Sequence, residues 1–482
     1  MDKKPNILLL INDHQNYYRY GWDEGVKPLT PNFERVANEG MKFERAYTPT
    51  AYCVPARRSL FTGVYPCNHG LTTNNEDVPE KDTDMFFHYL SEKGYRNYYF
   101  GKWHNGQMHL WEQGCEGFSI QGHGNPYSTN EYKLYCQKNN IPEACCDVKL
   151  NFYKNEPEGK VYLREYGSAK PSYGKLLTPK ESHESFFIAD MACNQLMNLK
   201  DSTEPWCMVV SFWGPHCPYF VTDEFLNLYD PEDIPPYPSY YDELNEKPDT
   251  YNLLKDKEFI TKKIYQIDKF PKPYPWSFYQ ECLTYIYAHT TLVDAAGGLV
   301  LDTLKSLGLD NNTIVIWTAD HGCDFGAHGG HLSKGPYMTE EVYRIPFTVR
   351  WPGVIKPGQT SNKLVSLIDL APTFLDLCGA KSAKTFDGDS LLPILQGKVQ
   401  GWRDSLLCEF YGARKDVHNI KSVITDKYKY VSTKNDVHEL YDLEKDPYEL
   451  NNLIHSEEME PVVKHMESKL KEWLCKIGNK EA

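Results

Sequence analysis

Two short stretches place a carboxylate beside an imidazole at the end of an apolar run. Residues 6–11 (Asn-Ile-Leu-Leu-Leu-Ile) lead into Asp13-His14, and residues 313–318 (Thr-Ile-Val-Ile-Trp-Thr) lead into Asp320-His321-Gly322. Both runs have the length and continuity of strands covered on both faces. In open α/β sheets, active groups collect at the carboxyl ends of strands. A carboxylate from each of two such ends, with an adjacent imidazole, makes an oxygen–nitrogen site suited to calcium, magnesium or manganese, with zinc also within its range. Taken alone, either pair also fits a solvated loop.

A more specific signal lies in Cys53-Val54-Pro55-Ala56-Arg57-Arg58-Ser59-Leu60-Phe61-Thr62-Gly63. It resembles the signature of the type I sulfatases, C-x-P-x-R followed at fixed distance by Thr-Gly. Further matches run in that family's order. Residues 94–104 end in Gly101-Lys102-Trp103-His104 and resemble its second signature, with Asn97 where Thr is usual. Gly214-Pro215-His216-Cys217-Pro218 resembles its P-H-x-P element, and Ser333-Lys334-Gly335 follows the Asp-His-Gly element at the usual distance. Tyr343-Arg344-Ile345-Pro346, Arg350-Trp351-Pro352-Gly353 and Glu439-Leu440-Tyr441-Asp442-Leu443 continue the likeness toward the C-terminus. The least family-like parts are residues 112–180 and 220–275.

The resemblance implies an alkaline-phosphatase-like fold and a sulfuric ester hydrolase. Cys53 would be oxidised to formylglycine (3-oxoalanine) by a formylglycine-generating or anaerobic sulfatase-maturating enzyme. One hydroxyl of the hydrated aldehyde attacks sulfur, and the other expels sulfate as the aldehyde re-forms. Carried over position by position, Asp13, Asp320, His321 and modified Cys53 hold a divalent metal, calcium first, with magnesium or manganese behind it. Arg57 and His104 orient the formylglycine, and Lys102 and Lys334 bind sulfate oxygens. His216 faces the sulfate, and it or Lys334 protonates the leaving alcohol. Many sulfatases carry two adjacent Asp first and an Asp-Asn pair later. One Asp first and Asp-His later resemble the branches that cleave choline sulfate or phosphonate and phosphate diesters, and iduronate sulfatases share the Asp-His. Whether His14 is a ligand is therefore left open: it contributes through a side contact or points away. The expected substrate is a small sulfated molecule, a sulfated sugar, with phosphonate monoester or phosphodiester hydrolysis as the alternative. His328 and His331 are expected to be pocket or structural residues rather than ligands.

These groups must be positioned by an α/β scaffold. Helical patterns cover residues 31–39, 56–62, 85–93, 182–200, 285–307 and 369–378, several closed by Gly. Strand-like runs fall at 6–11, 95–100, 206–213, 313–318, 347–350 and 364–367. This alternation predicts a large, mostly parallel sheet sandwiched by helices over residues 1–380. From 381 to 482, strand-like pieces at 405–409, 422–425 and 429–432 and a charged helix at 457–475 predict a smaller α+β subdomain. The Pro- and Tyr-rich residues 219–275 are too long for a plain loop and are expected to cover part of the cleft.

Composition narrows the classes. With 52 Lys+Arg against 66 Asp+Glu, the 482-residue chain carries a net charge of -14, which argues against a nucleic-acid binder. No run is long enough for a membrane span. The 14 cysteines include no C-x-x-C pair, so zinc ribbons and redox motifs are not expected. The N-terminus enters its first strand without a signal-like segment, which predicts a cytoplasmic protein unless a leader has been removed.

Overall fold

The computed structural model describes residues 4–17, 26–74, 84–122, 124–152, 156–166, 171–252, 274–382, 384–413 and 416–479. An eight-stranded sheet forms its centre. In spatial order its strands are Gln359–Ser361, Met41–Phe43, Phe347–Arg350, Thr313–Ala319, Asn6–Asn12, Trp206–Ser211, Arg96–Gly101 and Cys115–Phe118. The strand Asn6–Asn12 lies parallel between Thr313–Ala319 and Trp206–Ser211. Only Phe347–Arg350 runs antiparallel to its neighbours, so the sheet is mostly parallel as expected.

The central strand shows why its run is continuously apolar: Ile7 to Ile11 are all fully buried. Side chains alternate across a strand, so Leu8 and Leu10 join one core and Ile7, Leu9 and Ile11 the other. The first core is closed by helices Pro31–Asn38, Glu184–Asn198 and Trp276–Ser306. The second is closed by Cys53–Thr62, Phe86–Glu92 and Leu370–Cys378. Helices on both faces force the sheet to be apolar on both.

Several expectations are corrected. The long helix starts at Trp276 rather than 285, because Pro275 opens it and its aromatic first turns bury against the core. Val365–Ser366 leaves the main sheet and pairs with Ala46–Tyr47, which also pairs with Arg344–Ile345. The irregular region 112–180 contributes to a four-stranded sheet, in the order Tyr219–Val221, Ser172–Leu176, Cys145–Asn151 and Gly159–Tyr162. Its short strands carry turn-forming Gly and Asn, which masks the period-two pattern. Part of the expected cleft cover, residues 253–273, lies outside the described residues.

Toward the C-terminus, Ser405–Ala413, Asp416–Thr425, Tyr428–Thr433 and Glu439–Asp442 form an antiparallel sheet. The helix Glu460–Lys476 covers one face through Met466, Leu470, Trp473 and Leu474. The other face packs through Leu406, Cys408 and Phe410 against Tyr47 and Val342. No helix among the described residues is long and apolar enough to cross a membrane.

Candidate active site

The parallel strands deliver their following residues to one edge of the sheet. Asn6–Asn12 delivers Asp13, Arg96–Gly101 delivers Lys102 and Thr313–Ala319 delivers Asp320 and His321. Trp206–Ser211 ends in Ser211 and continues toward His216. The helix Cys53–Thr62 begins with Cys53 itself, after Tyr52 in an extended conformation, and ends at Gly63 in the left-handed region. Its positive end therefore faces the same edge. All ten of its residues are buried, including Arg57 and Arg58. Arg58 is fixed by Asn105, to whose backbone carbonyl Nη2 donates at 3.0 Å.

Asp13, Cys53, Asp320 and His321 are all buried, and their donor atoms lie within 4.8 Å of one another. Cys53 Sγ sits 3.2 Å from His321 Nε2 and 3.9 Å from Asp13 Oδ1. The Gly322 carbonyl, which can only accept, lies 2.9 Å from His321 Nδ1. The ring proton is thus on Nδ1, and Nε2 presents its lone pair to the cluster. Asp320 Oδ1 accepts from the backbone N–H groups of His14 at 3.0 Å and His321 at 2.9 Å. Two carboxylates and an imidazole lone pair converging in a buried space fit a divalent cation.

Cations surround these acceptors. Arg57 Nε donates to Asp320 Oδ2 at 2.9 Å, and Nη2 lies 3.5 Å from Asp13 Oδ2. Arg57 Nη1 donates to the Lys102 carbonyl at 2.9 Å and to Ser211 Oγ at 2.8 Å. Lys102 Nζ pairs directly with Asp13. Lys334 Nζ reaches Cys53 Sγ at 3.2 Å and His321 Nε2 at 2.7 Å. Burial by itself would raise the Cys53 thiol, but the Lys102 and Lys334 ammonium groups pull it well below its usual range. Asp13 behaves likewise: burial opposes ionisation, and Lys102, His216 and Arg57 more than reverse it. Burial lowers His216, and the nearby Lys102 and Lys334 add to the effect. His104 is buried with a left-handed backbone (φ 42°) in the field of Lys102 and Arg57, and burial drives it well down.

All the sequence-predicted site residues thus meet at one edge of the sheet. His14 is buried with its ring 5.0 Å from those of both His216 and His321, and its Nε2 has no hydrogen-bond partner among the described residues. Arg57 takes a contact set that its motif does not disclose: its guanidinium clamps two carboxylates. His328 Nε2 lies 3.0 Å from Glu341 Oε2, and that carboxylate with Asp242 raises it to about 10 despite burial; Asp324, His328 and Glu341 also lie close enough together to hold a metal ion. His331 is held between Asp324 at 3.3 Å and the Tyr251 carbonyl at 3.2 Å. Sequence reasoning missed Ser211 and the buried group His183, Glu184 and His289. The available signal was small: an acid at the first position of a helix and a polar end to an apolar strand.

A sheet edge that gathers a buried cysteine, two lysines and a convergent acid–imidazole set suits the hydrolysis of esters of strong oxyacids. The chain matches the family described as Sulfatase over residues 5–380, and the description "N-sulphoglucosamine sulphohydrolase, C-terminal" over 326–476. It belongs to the sulfatase family and is a sulfatase enzyme. It is 27% identical over 476 residues to N-acetylglucosamine-6-O-sulfatase of Bacteroides thetaiotaomicron, covering 94% of this chain and 83% of that protein. It is 28% identical over 467 residues to arylsulfatase of Clostridium perfringens, covering 94% and 91%. A solved structure in complex with its substrate D-glucosamine-2-N,6-O-disulfate shares the fold with a TM-score of 0.76 at 23% identity, covering 99% of both chains. The phosphonate monoester hydrolase of Agrobacterium radiobacter does so with a TM-score of 0.77 at 22% identity, covering 98% and 96%.

Proposed function

We propose that this sulfatase releases inorganic sulfate from a sulfated sugar, using a formylglycine made from Cys53. One observation carries the proposal: Cys53 opens a helix at the sheet edge, within 3.9 Å of Asp13, His321 and Lys334 groups together. A separate maturating enzyme would supply the oxidation. Asp13, Asp320 and His321 would hold a divalent ion, which we assign as calcium, and its chemistry is to acidify and align the nucleophile. Relatives named for sugar sulfates support the sugar as the alcohol half.

The remaining roles follow from the chain's own groups. Arg57 holds Asp13 and Asp320 in register while contributing a fixed positive charge. Lys102 and Lys334 neutralise charge that spreads over the sulfate oxygens. Donors in a buried site act without the reorganisation that water would require. His216, partly exposed, would give a proton to the leaving sugar oxygen, a role its lowered pKa disfavours at neutral pH. Lys334, also partly exposed, is the other group placed to do so.

The test is sulfate release from a panel of sulfated mono- and disaccharides, aryl sulfate, choline sulfate and a phosphodiester. The protein is co-expressed with a formylglycine-generating enzyme, with Cys53→Ala as control. Sulfate release lost in Cys53→Ala supports the proposal, and mass spectrometry of the Cys53 peptide must show conversion. Turnover of only the phosphodiester would replace the reading with phosphodiester hydrolysis. Elemental analysis of the purified protein checks calcium, and manganese or magnesium at unit stoichiometry would overturn that assignment.

A further inference from the structure

The candidate sulfate-binding groups share a pocket with polar side chains that the mechanism above does not use. Lys102 and His216 line it together with Tyr127, His183, Glu184 and Trp213. Glu184 is the first residue of the helix Glu184–Asn198 and is 8% exposed. Its carboxylate accepts from the Tyr127 hydroxyl at 2.9 Å, and among the described residues no cation pairs with it. A carboxylate offers about four acceptor positions, so acceptors remain toward the pocket. Trp213 Nε1 is a buried donor with no hydrogen-bond partner among the described residues. His183 Nδ1 caps the helix by accepting from the Ser185 N–H at 3.2 Å, so its proton sits on Nε2, a second donor.

His183, Glu184 and His289 are also close enough together to hold a metal. The cap argues against that use. A ligating imidazole turns a lone pair to the metal and donates its other N–H to an acceptor, whereas His183 spends its lone pair on the backbone. An acceptor, two N–H donors and the aromatic side chains of Trp213 and Tyr127 lining one pocket instead match the hydroxyls and apolar face of a sugar ring. Burial raises Glu184 to about 7; above that pH a second anion placed there would meet its carboxylate, with which no cation pairs among the described residues.

Resting on the sulfated-sugar reading above, we propose that Glu184, His183 and Trp213 bind the alcohol half as an uncharged, hydroxyl-bearing ring. Glu184 rejects rings that carry a uronate or a second sulfate on that face. The substrate class is therefore a monosulfated neutral sugar.

The test compares Glu184→Gln and Trp213→Phe with the wild-type enzyme. Glu184→Gln keeps an acceptor for Tyr127, and Trp213→Phe removes one N–H and keeps an aromatic face, so both should fold, as thermal melting will check. kcat/KM is measured on neutral monosaccharide monosulfates, sulfated uronates and aryl sulfate. We expect about a tenfold or greater loss on neutral sugars for each variant, as for other sites built to hydrogen-bond a substrate hydroxyl. The loss on aryl sulfate should be much smaller, and Glu184→Gln should narrow the gap between neutral and acidic sugars. Equal losses on all esters, no loss on sugars, or a wild-type preference for uronates would overturn the proposal. If the converted wild type releases sulfate from none of the esters, the function reading fails separately. Calorimetric binding of the neutral sugar sulfates to Cys53→Ala, with and without Glu184→Gln, then decides this inference, and an unchanged Kd overturns it.

Discussion

Arg57 shows how one side chain can organise a site without being its nucleophile. Its guanidinium spans Asp320, Asp13, the Lys102 carbonyl and Ser211, four groups from four strand ends. Both carboxylates are fully buried, so each depends on its cationic partners. Breaking a buried pair by removing one partner costs roughly 3–5 kcal/mol, because a charge is left uncompensated. Arg57→Met should lower stability by about that amount in urea unfolding, and activity should fall with it. Arg57→Lys should recover little, since one ammonium cannot reproduce a planar fork directed at several acceptors. Full stability in Arg57→Met would show that Lys102 alone holds the carboxylates. The motif flagged Arg57, but its partners could not be read from it. They lie 44 or more residues away in sequence and meet it only when the sheet forms. Glu184 was less legible still, because an acid at a helix start ordinarily serves the helix dipole.

At the scale of elements, the legible parts were those whose burial is complete. Residues 6–11 and 313–318 had to be central strands, because no other element buries so short an apolar run on both sides. The direction of Phe347–Arg350 was not legible, since an apolar run carries no sign of its orientation. Also hidden was the device that joins Lys102 to its strand. Gly101 closes Arg96–Gly101 opposite Ser211 with φ 108°, and the Lys102 N–H donates to the Ser211 carbonyl at 2.8 Å. A Cβ on Gly101 would stand 1.9 Å from that same carbonyl oxygen. Backbone cannot retreat as a flexible side chain can, and φ is also unfavourable for any other residue. Gly101→Ala should therefore push apart two strand ends that carry Lys102 and Ser211. The expected result is a loss of at least ~2 kcal/mol in stability and a larger proportional fall in sulfate release. A variant with native melting and native activity would mean the strand ends part without cost.

Across the whole molecule, a buried charge cluster ties the C-terminal sheet to the loop that carries the second lysine. Lys429, on Tyr428–Thr433, lies 3.2 Å from Glu340 Oε1 and also pairs with Glu449. The Glu340 backbone N–H donates to Glu449 at 2.8 Å, and Tyr47 donates to Glu340 at 3.0 Å. Lys247 donates to the Glu449 carbonyl at 2.5 Å and pairs with Asp242 at 3.3 Å. Glu341, beside Glu340, holds His328, so the cluster anchors both ends of the segment that presents Lys334. Burial raises Glu449 to about 7, with Lys429 opposing that rise. A carboxyl whose folded pKa is raised stabilises the fold fully only below its unfolded value, and that contribution is lost as pH climbs through the folded value. Lys429→Met keeps the stem's volume but removes the opposing charge, so Glu449 should rise further. The variant should lose roughly 3–5 kcal/mol near neutral pH. Its deficit against wild type should shrink toward pH 5, where the neutral carboxyl tolerates burial, and widen from pH 6 to 8. Urea midpoints taken across that range measure the effect directly. A deficit independent of pH would mean that the lysine acts by packing alone. Because the same cluster holds the Lys334 segment, the sulfate release of Lys429→Met should fall in step with its stability deficit.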